Sequence, residues 1–261
     1  MGAEWLVPPW AVVAAAAVVG SAVGSFLNVC IYRLPQGGSL IRPPSTCPAC
    51  GNRIAWYDNV PILGWLLLAG RCRRCKAPIS PQYPLIEALV AALWAVAVWH
   101  YGPTWHALTG AVFGTILLGI AITDARHYII PDEFTWGGLS VGLLLGLSEG
   151  WEGLGRAALG AAVGFALLYA VAWAGEKAFR KEAMGGGDIK MMAMVGAFVG
   201  WKGVLLTVFG GALFGTVVFV PISLRTKKLV PFGVFLAAGA ALAFVAGEAI
   251  LAWYRRSVLG W

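Results

Sequence analysis

The sequence predicts an all-α polytopic membrane protein of about eight transmembrane helices, with one small polar domain inserted between the first helix and the second. Three observations carry that expectation. Of the 261 residues, 59% are hydrophobic and only 12% charged, against about 25% charged in a soluble domain. Mean hydropathy is +0.77. No soluble core hides that much apolar sequence, so lipid must solvate most of it. The apolar residues also fall into runs near the ~20 residues that cross a hydrocarbon core. These runs are 10–32, 85–100, 106–124, 134–149, 156–175, 189–201, 203–223 and 232–253. Finally, residues 34–84 are of a different kind, rich in Pro, Gly, Arg and Cys. The chain thus divides into a first membrane helix (1–33), a polar domain (34–84) and a membrane-embedded core (85–261).

Each element has its reason. The run Trp10–Val19 imitates the apolar part of a signal peptide, but Met1–Pro9 holds Glu4 and no Lys or Arg. A signal peptide needs a basic start, so this is the first membrane helix. The sixth run, 189–201, is short and reads either as a crossing or as a re-entrant helix. The 35 glycines form no fixed-period repeat; small residues let membrane helices approach closely.

The net charge is +7. Cytoplasmic loops of membrane proteins carry excess Lys and Arg, which accounts for the excess without nucleic acid. Arg33, Arg42, Arg53, Arg71, Arg73, Arg74 and Lys76 surround the polar domain, which is therefore cytoplasmic. Counting crossings then places Arg126, Lys177, Arg180, Lys181 and Lys190 inside. With eight crossings Arg225, Lys227 and Lys228 are inside too, and Arg156, Lys202, Arg255 and Arg256 outside. With a re-entrant sixth segment, the 225–228 cluster exchanges sides with Lys202, Arg255 and Arg256. Charge does not decide between seven and eight crossings.

The polar domain carries Cys47-x-x-Cys50 and Cys72-x-x-Cys75, with 21 residues between the pairs. Two such knuckles supply four thiolates for a closed tetrahedral zinc site of structural kind. A cytoplasmic position argues against disulfides. Cys30, alone in an apolar run, reads as a small buried hydrophobe. Arg71, Arg73 and Arg74 read as a juxtamembrane cluster facing anionic lipid.

Charged side chains near lipid are costly and mark function. Asp124 closes the third apolar run and Asp188 opens the sixth, after Gly185-Gly186-Gly187. The crossing count brings both to the cytoplasmic membrane edge, as a two-aspartate hydrolytic site requires. One ionised carboxylate takes a proton from water while the other donates to the carbonyl oxygen. Asp188 at a helix N-terminus is expected to ionise more readily than Asp124 at a helix C-terminus. Gly185 and Gly187, through left-handed backbone or close approach, and Lys190 are expected to support substrate. Asp132 and Glu133 read as first-turn acids beside Pro131. Glu87 and Glu248 read as polar links between helices. A transporter would place its acids nearer the bilayer midplane.

With these residues in view, the chain resembles the bacterial type IV prepilin peptidases, the leader peptidase and N-methyltransferase family of GxGD aspartic proteases. Gly24-Ser-Phe-Leu-Asn-Val-Cys-Ile-Tyr-Arg-Leu-Pro35 resembles the family's first-helix motif. The four cysteines, Asp124 with Ile130-Pro131-Asp132, and Gly185–Lys190 resemble the other three. The resemblance implies an inner-membrane enzyme with catalytic Asp124 and Asp188. Its substrates would be prepilins and pseudopilins, cut after a glycine at the cytoplasmic edge. It also implies N-methylation of the new amine from S-adenosylmethionine, for which the chain shows no GxGxxG site of its own.

Overall fold

The computed structural model describes residues 8–181, 184–226 and 231–258, with side chains left out at 219–226. Glu4, Lys227 and Lys228 lie outside the described residues. The fold is helical. In chain order the helices are α1 (Pro9–Arg33), α2 (Leu63–Leu67), α3 (Gln82–Tyr101), α4 (Trp105–His127), α5 (Asp132–Leu147), α6 (Gly150–Phe179), α7 (Gly186–Thr226) and α8 (Phe232–Ser257). Among the described residues there is no strand, only the isolated bridges Thr46–Arg53 and Arg71–Pro78.

Proline and glycine set many of the boundaries. Pro9 starts α1 and Pro131 precedes α5; proline's fixed φ suits a helix start and its missing N–H costs nothing there. Gly102 at φ 68 ends α3.

Among the described residues, six helices are long and apolar enough to cross a membrane, with 186–218 counted as one stretch. This is fewer than the eight expected, for two reasons. Helix α5 has 16 residues, about 24 Å at 1.5 Å per residue, short of the ~30 Å hydrocarbon core. And α7 is two helices joined at Gly200, whose φ of 66 and ψ of 175 are not helical. The expected 189–201 and 203–223 runs are its two limbs.

Gly164 of α6 reveals the geometry of that joint. A side chain there would meet Met192 O at 2.1 Å and Val204 Cγ2 at 3.4 Å. A straight helix would carry Val204 about 18 Å beyond Met192. Both touch one glycine, so the chain folds back at Gly200. The second limb returns toward the end where the first began, and α8 starts there: a Cβ on Gly233 would lie 2.7 Å from Asp124 Oδ2. A re-entrant 189–201 segment followed by a full crossing would instead start α8 at the opposite end.

The chain divides into two compact units, Met1–Thr115 and Ile116–Trp261. In the first, α1 packs on α3 through Gly20 against Trp94 and Gly24 against the Glu87 backbone. The Asn28 amide donates to Tyr83 O at 3.1 Å. Ala97, Ala107 and Ala111 join α3 to the start of α4. In the second, α6 and α7 meet backbone to backbone. A Cβ on Gly160 would lie 2.1 Å from Gly196 O, and one on Gly196 would lie 2.0 Å from Gly160 O. Met191, Met192, Met194 and Val195 in the first limb of α7 are fully buried. That limb is therefore the central element of the second unit, and it begins with Asp188.

Candidate active site and metal centre

Asp124 sits in the last turn of α4 and is 6% exposed. The preceding Thr123 satisfies its hydroxyl on Gly119 O and Ile120 O, so no polar side chain competes for the carboxylate from that position. After His127 the chain leaves the helix with Tyr128 at φ 55. Ile130 and Pro131 then lead into α5. From the other side comes the first turn of α8, whose Gly233 and Val234 backbone N–H groups face the Asp124 carboxylate. These are orphan donors of a helix N-terminus, a natural seat for an anion.

Asp188 lies in the first turn of α7, its N–H bonded to Gly185 O at 3.2 Å. Ile130 ties it to Asp124. A Cβ on Gly187 would lie 3.1 Å from Ile130 Cβ, and one on Gly233 would lie 2.9 Å from Ile130 Cδ1. Glycine at both positions lets the two backbones close on that one side chain without displacing it. Asp124 Oδ2 and Asp188 Oδ1 are buried and have no hydrogen-bond partner among the described residues. Buried carboxylate oxygens are ordinarily satisfied, and two such exceptions at one corner mark a place for water or substrate.

Three expectations change here. The glycines before Asp188 do not use left-handed backbone, since none of Gly185, Gly186 and Gly187 has positive φ. Their value is space: Gly187 is closely packed, while a Cβ on Gly186 would meet nothing within 4 Å. Lys190 forms an ion pair with Asp132, so Asp132 does more than start a helix; it joins the α5 entry to the α7 entry. And the helix ends no longer separate the two carboxylates, because the N-terminus of α8 faces Asp124 as the N-terminus of α7 carries Asp188. Sequence reasoning missed Gly233 and Val234, and placed Ile130 only within a motif, without its packing role. Pro231 in front of an apolar run signals a helix start, but nothing in it signals a neighbour more than 100 residues earlier.

The candidate metal centre lies in the first unit. The Sγ atoms of Cys47, Cys50, Cys72 and Cys75 all lie within 4.8 Å of one another, and Cys47 Sγ is 3.8 Å from Cys75 Sγ. A tetrahedron with Zn–S bonds near 2.3 Å has edges of about 3.8 Å, so zinc fits the donor set. The two knuckles share one design. Gly51 N donates to Cys47 O and Lys76 N to Cys72 O, at 2.8 and 3.0 Å. Both turn residues have positive φ. The N–H groups of Cys75 and then Arg74 hold the Cys72 thiol down at about 6, while Cys75, despite the Ala77 N–H, is pushed up to about 11 by burial and the neighbouring thiols, so the crowded thiols do not all ionise together without a cation. Around the knuckles, Arg73 forks onto Asp58 at 2.6–3.1 Å. Arg74 donates to Asn52 Oδ1 at 2.8 Å. Two of the three arginines expected to face lipid are thus engaged within the domain.

Glu87 also differs from expectation. It is 7% exposed, and its Oε2 accepts the Ile62 N–H at 2.7 Å, so it ties α3 to the polar domain. Glu248 is exposed.

Comparison with known proteins fits this arrangement. Residues 18–101 match the bacterial peptidase A24 N-terminal domain, and residues 111–220 match the type IV leader peptidase family. The chain is 34% identical to the prepilin leader peptidase/N-methyltransferase of Aeromonas salmonicida over 280 residues, covering 96% of each protein. It belongs to the type IV leader peptidase family. Within that family it is also 34% identical to the Pseudomonas aeruginosa protein of the same name over 274 residues, 94% of each. The Myxococcus xanthus protein of that name is 39% identical over 214 residues, which are 82% of this chain and 64% of that protein. No solved structure gives a significant match. Its apolar helices and its family make the chain a multi-pass bacterial membrane protein.

Proposed function

We propose that this protein is the aspartic endopeptidase that removes the leader of type IV prepilins and pseudopilins, with Asp124 and Asp188 as its catalytic pair. The observation that carries this reading is the corner where Ile130 packs against the entries to α7 and α8, with a buried, unpartnered carboxylate oxygen of Asp124 and of Asp188 there.

The chemistry follows from two carboxylates that share one proton and titrate as a pair. The ionised partner takes a proton from a water molecule as it attacks the scissile carbonyl. The protonated partner donates to the carbonyl oxygen. Collapse of the tetrahedral intermediate expels the amine, which takes the proton that the first carboxylate gained from water, while the second carboxylate recovers its proton from the hydroxyl that becomes the new carbonyl oxygen. The orphan N–H groups of Gly233 and Val234 hold Asp124 in place. The open backbone at Gly186 leaves room for an extended substrate beside Asp188. Lys190 and Asp132 position the α7 entry against the α5 entry.

The substrate's apolar helix partitions into the bilayer and presents its leader at the membrane edge. Confinement to that plane raises local concentration and orients the scissile bond. The charge pattern supports a site on the cytoplasmic face of the inner membrane. The four cysteines hold a structural zinc, which would fix the two knuckles and leave no open position for chemistry.

The relatives' printed names include N-methyltransferase, and the same second activity is proposed here with S-adenosylmethionine as methyl donor. The described residues contain no strand, so a Rossmann-type donor site does not fit, and no step is assigned to particular residues.

Mass spectrometry of a co-expressed prepilin tests both activities. Wild type gives leader loss plus the mass of one methyl group. Asp124→Asn and Asp188→Asn each lower cleavage by roughly 10²–10⁴-fold, the range for a general acid–base group. Leader loss at the wild-type rate in either variant refutes the pair. Leader loss without the added mass refutes the methyl transfer alone.

A further inference from the structure

The polar domain is pinned to the membrane helix that follows it. Ile62 N donates to Glu87 Oε2 at 2.7 Å, and Glu87 lies within the membrane-spanning stretch Gln82–Tyr101. Its Cα is about 8 Å along the axis from the start of α3. The Ile62 loop therefore cannot stand off in the cytoplasm; it sits at the level where the helix enters the bilayer. A second tie holds the same segment, since Trp65 Nε1 donates to Ile79 O at 3.1 Å, just ahead of α3.

Ile62 itself has φ 63 and ψ −54, with Leu63 N bonded to Pro61 O at 2.6 Å. This is a tight three-residue turn with left-handed φ at a β-branched residue, a rare and strained geometry. Strain of this kind persists only where the surroundings over-determine it, and the Glu87 bond is such a surrounding. The turn launches α2, which is one-sided. Gly64 packs on Asp58 O and Trp65 against Gly70. Leu63, Leu66 and Leu67, at i, i+3 and i+4, form the opposite face, and they are 57%, 58% and 83% exposed. Trp56, on the same loop, is 82% exposed.

We infer that α2 and its flanking loop are a membrane-docking element, with Leu63, Leu66, Leu67 and Trp56 set into the headgroup–acyl boundary of the bilayer that α3 crosses. The occupant is lipid because the face is tied by Glu87 to a lipid-crossing helix. Leu85 and Leu89 of that helix are exposed in the same way. A leucine face with an adjacent tryptophan is the composition that interfacial elements use. The metal knuckles on either side of α2 are thereby held on the membrane surface. This inference is independent of which peptide the enzyme cuts.

The test is photo-crosslinking of the full-length protein in vesicles of phosphatidylethanolamine and phosphatidylglycerol. A benzophenone amino acid replaces Leu66 or Leu67, with Leu63 as the substitute for either site if that variant loses leader cleavage. The same probe at Leu89 reports lipid contact and at Arg53 reports water. Intact mass after irradiation is expected to show lipid adducts at the α2 sites within about twofold of Leu89 and at least fivefold above Arg53. Adduct yields at the α2 sites equal to Arg53 overturn the inference. So do crosslinks to a second copy of the chain or to a prepilin in place of lipid.

Discussion

Asp124 and Asp188 became neighbours through residues that carry no charge. Ile130 reaches both backbones, and a Cβ at 187 or 233 would crowd it at 3.1 or 2.9 Å. The Lys190–Asp132 ion pair is the polar counterpart of that contact. Both side chains keep some access to water, so the pair is expected to matter for position more than for stability. Lys190→Ala and Asp132→Ala are each expected to lower kcat for leader cleavage about tenfold with little change in melting temperature. The exchange Lys190→Asp with Asp132→Lys is expected to recover part of the loss. Rates and melting curves on the purified variants check this, and an equal drop in melting temperature would assign the pair a folding role instead.

At the scale of elements, close glycine contacts decide which helices pair. Glycine at 160 and 196 brings α6 and the first limb of α7 into backbone contact. Gly160→Ala or Gly196→Ala must push them apart, at a cost of about 1–3 kcal/mol for overpacking. Since the first limb carries Asp188, cleavage is expected to fall as well. Gly200 is a different case. An added Cβ there meets nothing within 4 Å, but its φ of 66 with ψ of 175 is backbone that essentially only glycine adopts. Gly200→Ala is expected to cost about 1–3 kcal/mol through backbone strain alone. Thermal unfolding in a single detergent ranks all three variants against wild type.

For the whole molecule, the fold-back at Gly200 sets the topology that charge left open. With α8 beginning beside Asp124, Lys202 lies at the end away from the aspartates, and Lys190 lies at theirs. A membrane-impermeant amine reagent added to intact spheroplasts is expected to label Lys202 and to spare Lys190 until the membrane is opened. Labelling of Lys190 alone would reverse the assignment, and labelling of both would refute the separation of the two ends. The metal centre gives a second expectation. Purified protein is expected to contain one zinc per chain, and Cys47→Ser or Cys72→Ser to lose it, as read by elemental mass spectrometry. Because the Arg73–Asp58 and Arg74–Asn52 contacts depend on the knuckles, loss of the metal is expected to expose residues 34–84 to limited proteolysis.

Much of this was legible in the chain. The apolar runs gave the helices because lipid-solvated backbone must satisfy its own hydrogen bonds, a local requirement that a local pattern can show. The cysteine spacing gave the two knuckles of the four-thiol cluster because a knuckle is four or five residues long. Asp124 and Asp188 stood out because a carboxylate at the end of an apolar run has few structural uses there. What the chain alone did not decide were the relations between distant segments. The closing of Gly187 and Gly233 on Ile130, the Lys190–Asp132 pair, the reversal at Gly200 and the Glu87 tie to Ile62 all depend on how helices pack. Glycine and isoleucine at those places look the same in sequence as at many others, and only the tertiary structure shows which backbones come close enough to need them.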